Sequence, residues 1–234
     1  MNPHSTRLST HRVGLPASQS AGSEGSTKLS KFTNRPAAPG TWAFTTERIV
    51  AAGVLVGITI IMAVVPVLGF IPIPNLTASA TIEHVPTILG GVLEGPVVGM
   101  ITGFFFGLVS FLRSPIPLFK DPLVAFVPRI LIGLTSWLTY VGLRRISRDV
   151  AAFAAGIIGA ATNTVFVLAF GIWRQDAPFA GIPASVIIVT VLPQAIAEAV
   201  LAAILTVIIA RAVDIVRRGL VRAPETKSRD ELPY

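Results

Sequence analysis

Six apolar stretches recur between residues 49 and 210, and no other feature limits the possible folds of this chain as much. A helix rises about 1.5 Å per residue and the hydrocarbon core of a bilayer is about 30 Å thick, so about 20 apolar residues make one crossing. The stretches are 49–67, 80–93, 97–112, 123–141, 150–173 and 186–210. The second is the shortest, and only Glu94-Gly95-Pro96 separates it from the third, a turn that makes the two antiparallel neighbours. Composition agrees: 13% of residues are charged, where a soluble domain carries about a quarter. The expected fold is therefore an all-α integral membrane protein with six transmembrane helices.

The basic residues orient it. With the N-terminus inside, 15 of the 19 Lys and Arg fall on the cytoplasmic side: six before the first span, then Arg144, Arg145 and Arg148, then six from Arg211 onward. Only Arg113, Lys120 and Arg174 lie in outer loops, with Arg129 inside the fourth span, so both termini are expected in the cytoplasm. Omitting any one span would scramble this distribution. Basic flanks of this kind also explain the net charge of +7 as lipid topology, leaving no single basic patch for nucleic acid. Residues 1–46 read as a disordered basic cytoplasmic tail, 47–213 as the six-helix membrane domain and 214–234 as a second basic polar tail. The first tail has no apolar run of signal-peptide type; its Ser-rich, acid-poor composition is shared by organelle transit peptides, but without their amphipathic helix.

Several chemistries are excluded. There is no cysteine, and of three histidines His4 and His11 sit in the tail, so no metal site and no thiol chemistry is expected. No phosphate-binding Gly-x-x-x-x-Gly-Lys-Ser/Thr loop is present, so ATP-driven transport would need another subunit. No cofactor is implied.

Polar residues inside spans are costly, and their depth is informative. Helical rise puts Arg129 about 9 Å below the outer surface, and Gln194 and Glu198 about 12 and 18 Å from the outer end of the last helix. Asn163 also falls in the outer half, and Glu83 and His84 open the second helix from outside. These groups point to one cavity open to the exterior. Arg129, Gly133, Trp137 and Tyr140 share one helix face, which suits a small ligand with an anionic end and an apolar body. The bland alternative is that Arg129 neutralises Glu83 or Glu198, that Asn163 and Gln194 join helices, and that Trp137 and Tyr140 belong to an aromatic belt. Phe104-Phe105-Phe106 reads as lipid-facing or filler, and Gly53 and Gly57 form a small-xxx-small pair that admits a second helix closely.

Residues 69–96, GFIPIPNLTASATIEHVPTILGGVLEGP, followed by VVGMITGFFFGLVSFL, resemble the substrate-binding S components of energy-coupling factor (ECF) vitamin transporters. The segments FKDPLVAFVPRILIG, ATNTVFVLAFGI and QAIAEAVLAAIL are most similar to the pantothenate-type branch. The resemblance covers residues 49–210. It implies a bacterial plasma-membrane protein, not an enzyme, that binds a small vitamin and works with a transmembrane coupling subunit and two ATPase subunits. It further implies that Gly53 and Gly57 meet the coupling subunit and that the loop 71–80 covers the ligand. The last helix departs from the family's Asn-Gly-x-Pro-Glu pattern, with Gln194 and Ala197 at the Asn and Pro positions and Glu198 retained. The expected ligand contacts are Asn75, Thr77, His84, Arg129, Trp137, Asn163, Gln194 and Glu198. Two rival readings are a membrane enzyme on a lipid-linked substrate, with Glu198 and His84 as acid and base, and a stand-alone secondary transporter. The latter would show internal repeats, and none is visible.

Overall fold

A computed structural model describes residues 42–43, 45–72, 79–174 and 179–221. The chain divides into residues 1–39 and 40–234, and everything described lies in the second unit. The tails expected at 1–46 and 214–234 are thus outside the described residues except for 42–43, 45–46 and 214–221.

The first helix, α1 (Thr46–Val64), starts where the Thr45 side chain accepts from Arg48 N–H at 3.4 Å, with Glu47 complementing the positive end. Only Ala52 and Thr59 are buried on it, while Ile49, Val54, Ile58 and Ile61 are exposed, so most of its surface suits lipid. One helical turn, α2 (Pro66–Gly69), leads into two short antiparallel strands, β1 (Phe70–Pro72) and β2 (Ser79–Thr81), with Phe70 opposite Thr81. Next come α3 (Val85–Leu89), continued by a wider π-helical turn at Gly90–Glu94, and α4 (Pro96–Arg113). The turn expected between them is formed by Gly95 at φ +104°, a backbone setting that favours glycine. A short 3₁₀ turn, Pro117–Lys120, precedes α5 (Pro122–Leu143), which is capped by Asp121 accepting from Leu123 N–H at 2.8 Å. The chain ends in α6 (Arg148–Arg174) and α7 (Ala184–Val221).

Five of these helices, α1, α4, α5, α6 and α7, are long and apolar enough to cross a membrane. The sixth passage, Val85–Glu94, is apolar but short. Ten residues rise only about 15 Å, half a hydrocarbon core. The helix expected from residue 80 begins later because 79–81 are extended against 70–72 and Pro86 sits in the first helical turn. Both ends of the bundle chain lie together: Arg217 near the end of α7 pairs with Glu94, and Ala43 and Arg48 share a groove with Val97 and Val98 at the start of α4. Here Arg211 also pairs with Asp149 at 2.6 Å and Arg148 with Asp214 at 3.0 Å. At the opposite end Arg174 pairs with Asp121 at 2.7 Å, and Lys120 Nζ donates to the carbonyls of Phe111 and Leu112.

Small residues set the helix spacing. Gly99, Gly103 and Gly107, four apart on α4, face Gly133, Arg129 and Ala125, four apart on α5. A Cβ on Gly99 would stand 2.9 Å from Gly133 Cα, one on Gly103 2.7 Å from Arg129 C, and one on Gly107 2.7 Å from Ala125 O. Backbone therefore packs on backbone along this seam, which holds α5 and its arginine in register with α4.

Candidate functional site

A cavity of about 450 Å³ lies at the end of the bundle opposite the chain ends. Its wall draws on α1, α4, α5, α6, α7, β2 and the adjoining loops, but on no residue of Val85–Glu94. Its wall includes Thr81 and Glu83, which stand just before α3 where a longer second helix was expected. Most of the wall is apolar, with Phe106, Leu118, Phe119, Val167 and Phe179; set into it are Glu83, Arg129, Asn163, Gln194 and Glu198, with Arg113 also on the lining.

The backbone of α5 positions Arg129. Pro128 has no N–H, so the carbonyl four residues earlier, Val124 O, lacks its helical donor. Arg129 Nη1 takes that place and donates to Val124 O at 2.6 Å. The guanidinium also lies 4.6 Å from the ring centre of Phe119 and 5.4 Å from that of Phe106, close enough for cation–π attraction. Phe106 is therefore wall as well as core filler, whereas Phe104 of the same triplet is exposed. Arg129 is 3% exposed, its Nε has no hydrogen-bond partner, and among the described residues no ion pair within 4 Å joins it to Glu83 or Glu198.

On α7, Gln194 and Glu198 share one face, as the spacing of four requires, and Gln194 Nε2 donates to Glu198 Oε1 at 2.8 Å. The same oxygen accepts from Thr81 N–H at 2.7 Å, tying α7 to β2. Gln194 follows Pro193 as Arg129 follows Pro128, so a proline defect precedes a polar wall residue in both helices. Asn163 on α6 is buried, and its Oδ1 has no partner. Glu83 belongs to the wall between β2 and α3; its backbone N–H donates to Thr81 Oγ1 at 3.1 Å, and its Oε1 has no partner.

The structure thus brings Arg129, Asn163, Gln194 and Glu198 to one cavity. It does not bring two other expected residues there. His84 is fully buried at the start of α3, outside the lining, and neither ring nitrogen has a hydrogen-bond partner, so no acid–base pair with Glu198 exists. Trp137 shares a face with Arg129 but lies eight residues on, about 12 Å along the axis, where its ring meets Trp42 edge-on at 5.8 Å. Asn75 and Thr77 lie outside the described residues. Gly53 and Gly57 have nothing within 4 Å of a Cβ position, so neither packs inside the bundle. Glu83 is a charged wall residue that the expected contacts omitted, although its place at the outer start of the second helix had grouped it with the other polar residues.

Fold and site together define a multi-pass cell-membrane protein with a buried polar pocket in one half of its bundle. The sequence model of the family described as "ECF transporter, substrate-specific component" matches residues 47–210, and the chain belongs to that family. Among curated proteins it is 32% identical over 109 residues to the pantothenic acid transporter PanT of Lactococcus lactis subsp. cremoris, covering 38% of this chain and 54% of that one. It is 28% identical over 156 residues to the pantothenate transporter PanT of Leuconostoc mesenteroides subsp. mesenteroides, covering 59% and 76%. The match thus spans about half the length of the first relative and three quarters of the second. The S component of a bacterial ECF transporter superposes with a TM-score of 0.52 at 19% identity, over 76% of this chain and 98% of that one, a likeness of fold.

Proposed function

We propose that this protein captures pantothenate, or a small carboxylic acid like it, from outside the cell and delivers it inward with a transmembrane coupling subunit and two ATPase subunits. The observation that carries this reading is Arg129: a guanidinium buried in a largely apolar cavity wall and, among the described residues, in no ion pair within 4 Å. A buried guanidinium without a direct ion pair is unfavourable, and a ligand carboxylate would supply one in bidentate form. The pantothenate transporter names of the two relatives support the ligand class. Gln194 and Asn163 add hydrogen-bonding capacity to the same wall. Gly53, exposed, and Gly57, partly exposed, on α1 are the surface we assign to the coupling subunit, since nothing lies within 4 Å of either Cβ position and a partner helix can approach closely.

The test is calorimetric titration of the purified chain with pantothenate and with pantothenol, which has an alcohol in place of the carboxylate. Arg129→Ala should weaken pantothenate binding by about 10- to 100-fold and pantothenol binding far less, as loss of a charge-assisted hydrogen bond predicts. Equal loss for both, or none, refutes the role of Arg129.

A further inference from the structure

Two carboxylates stand in the cavity wall, and their surroundings give them different tasks. Glu198 Oε1 already accepts from Thr81 N–H at 2.7 Å and from Gln194 Nε2 at 2.8 Å. The first bond ties β2 to α7 at the cavity edge, and the second, within α7, orients the carboxylate. Glu83 differs. It is 4% exposed, it lines the same cavity, and its Oε1 has no hydrogen-bond partner. Its main chain is held firmly: Glu83 N–H donates to Thr81 Oγ1, Thr81 Oγ1 donates to Gly69 O at 3.2 Å, and Ile82 N–H donates to the same carbonyl at 3.0 Å. Gly69 leaves the room for this carboxylate, since a Cβ there would stand 2.9 Å from Glu83 Oε1. Asn163 Oδ1 is a second buried acceptor without a partner in the same wall.

The wall therefore carries two guanidiniums, buried Arg129 and exposed Arg113, and two acceptor atoms without a hydrogen-bond partner, Glu83 Oε1 and Asn163 Oδ1. A carboxylate accepts hydrogen bonds, and leaving it unsatisfied in an apolar wall is costly. An ammonium would satisfy it too, but would bring a second ligand charge into a largely apolar cavity; neutral donors avoid that desolvation. We infer that Glu83, with Asn163 beside it in the lining, is a specificity-determining residue that accepts hydrogen bonds from hydroxyl groups of the ligand. Glu198 is a positioning residue that holds the strand pair. The inference rests on the reading above of a receptor for a small acid, and names the second feature that acid must carry: hydroxyl donors set apart from its carboxylate.

The experiment uses the purified full chain and three probes: pantothenate, the pantothenate analogue lacking both hydroxyls, and the zwitterion β-alanine. Glu83→Met, similar in length and without acceptors, should lose about 10- to 100-fold in affinity for pantothenate while matching the wild type on the dideoxy analogue. Glu83→Gln, which keeps one acceptor oxygen, should show a smaller loss confined to the hydroxylated ligand, and it carries the test should the methionine variant not fold. Glu198→Gln should weaken both acids by the same factor, because it acts through the strand pair. Equal losses for both acids in the Glu83 variants, no loss, or preference of the wild type for β-alanine would overturn the inference while leaving the receptor reading in place. Binding of neither acid by the wild type would overturn both.

Discussion

Replacing Gly103 by alanine tests whether the glycine seam between α4 and α5 holds Arg129 in place. The added Cβ would stand 2.7 Å from the carbonyl carbon of Arg129 and 3.1 Å from Ile130 Cα. Carbon atoms in contact prefer about 3.5 to 4.0 Å, so the two helices must separate by about 1 Å. The obstructing atoms are backbone, and no rotamer change relieves them. Overpacking of this kind costs about 1–3 kcal/mol, and the same displacement moves the guanidinium relative to Asn163 and Gln194 on the other walls. We expect a lower Tm for the detergent-solubilised protein and an affinity for pantothenate reduced about 10-fold. Gly53→Ala is the matched control, because nothing lies within 4 Å of its Cβ position. Its Tm and affinity should equal those of the wild type, and its defect should appear only when uptake with partner subunits is measured. A Gly103→Ala protein with unchanged Tm and affinity would refute the argument, as would the same loss in Gly53→Ala.

Other consequences are simpler. Trp137→Phe should leave ligand affinity unchanged, because the ring packs on Trp42 about 12 Å along α5 from Arg129; a several-fold loss in titration would return Trp137 to the site. Asp149→Asn should leave the Tm within experimental error despite breaking the Arg211 pair, since both side chains are about half exposed or more, at 46% and 62%, and exposed pairs contribute little. A drop of several degrees would show that these charges act as a network joining α6 to α7.

Depth was more legible in the sequence than orientation at breaks. Helical rise alone assigned Arg129, Asn163, Gln194 and Glu198 to the outer half of the bundle, at depths of about 9 to 18 Å, and all four line one cavity. Face periodicity misled at Trp137, because residues eight apart share an azimuth but not a depth. Glu83 and His84 were harder still. They sit where an extended strand gives way to a helix, neither the two-residue nor the 3.6-residue period applies, and so which neighbour faces the cavity depends on the break itself. The small-residue spacing at Gly53 and Gly57 was visible, and so was the identical spacing at Gly99, Gly103 and Gly107. Spacing does not say whether a stripe faces inward or outward; only the packing shows that the second lies inside the bundle and the first does not.

The cavity itself follows from one shortfall in length. Five helices are long and apolar enough to cross, and a sixth passage of ten residues rises about half the thickness of a hydrocarbon core. Residues 80–84, expected to open that helix, do not join it. Instead residues 79–81 pair with 70–72 at the edge, and Thr81 and Glu83 become wall. Polar side chains can occupy that wall because backbone defects meet them: Pro128 frees a carbonyl for Arg129, and Glu198 takes the outward N–H of Thr81. The same irregularities that make the second passage weak by hydropathy thus create both the room for a ligand and the hydrogen-bonding groups around it. Lengthening α3 toward the outer end would fill the site before it disturbed the fold.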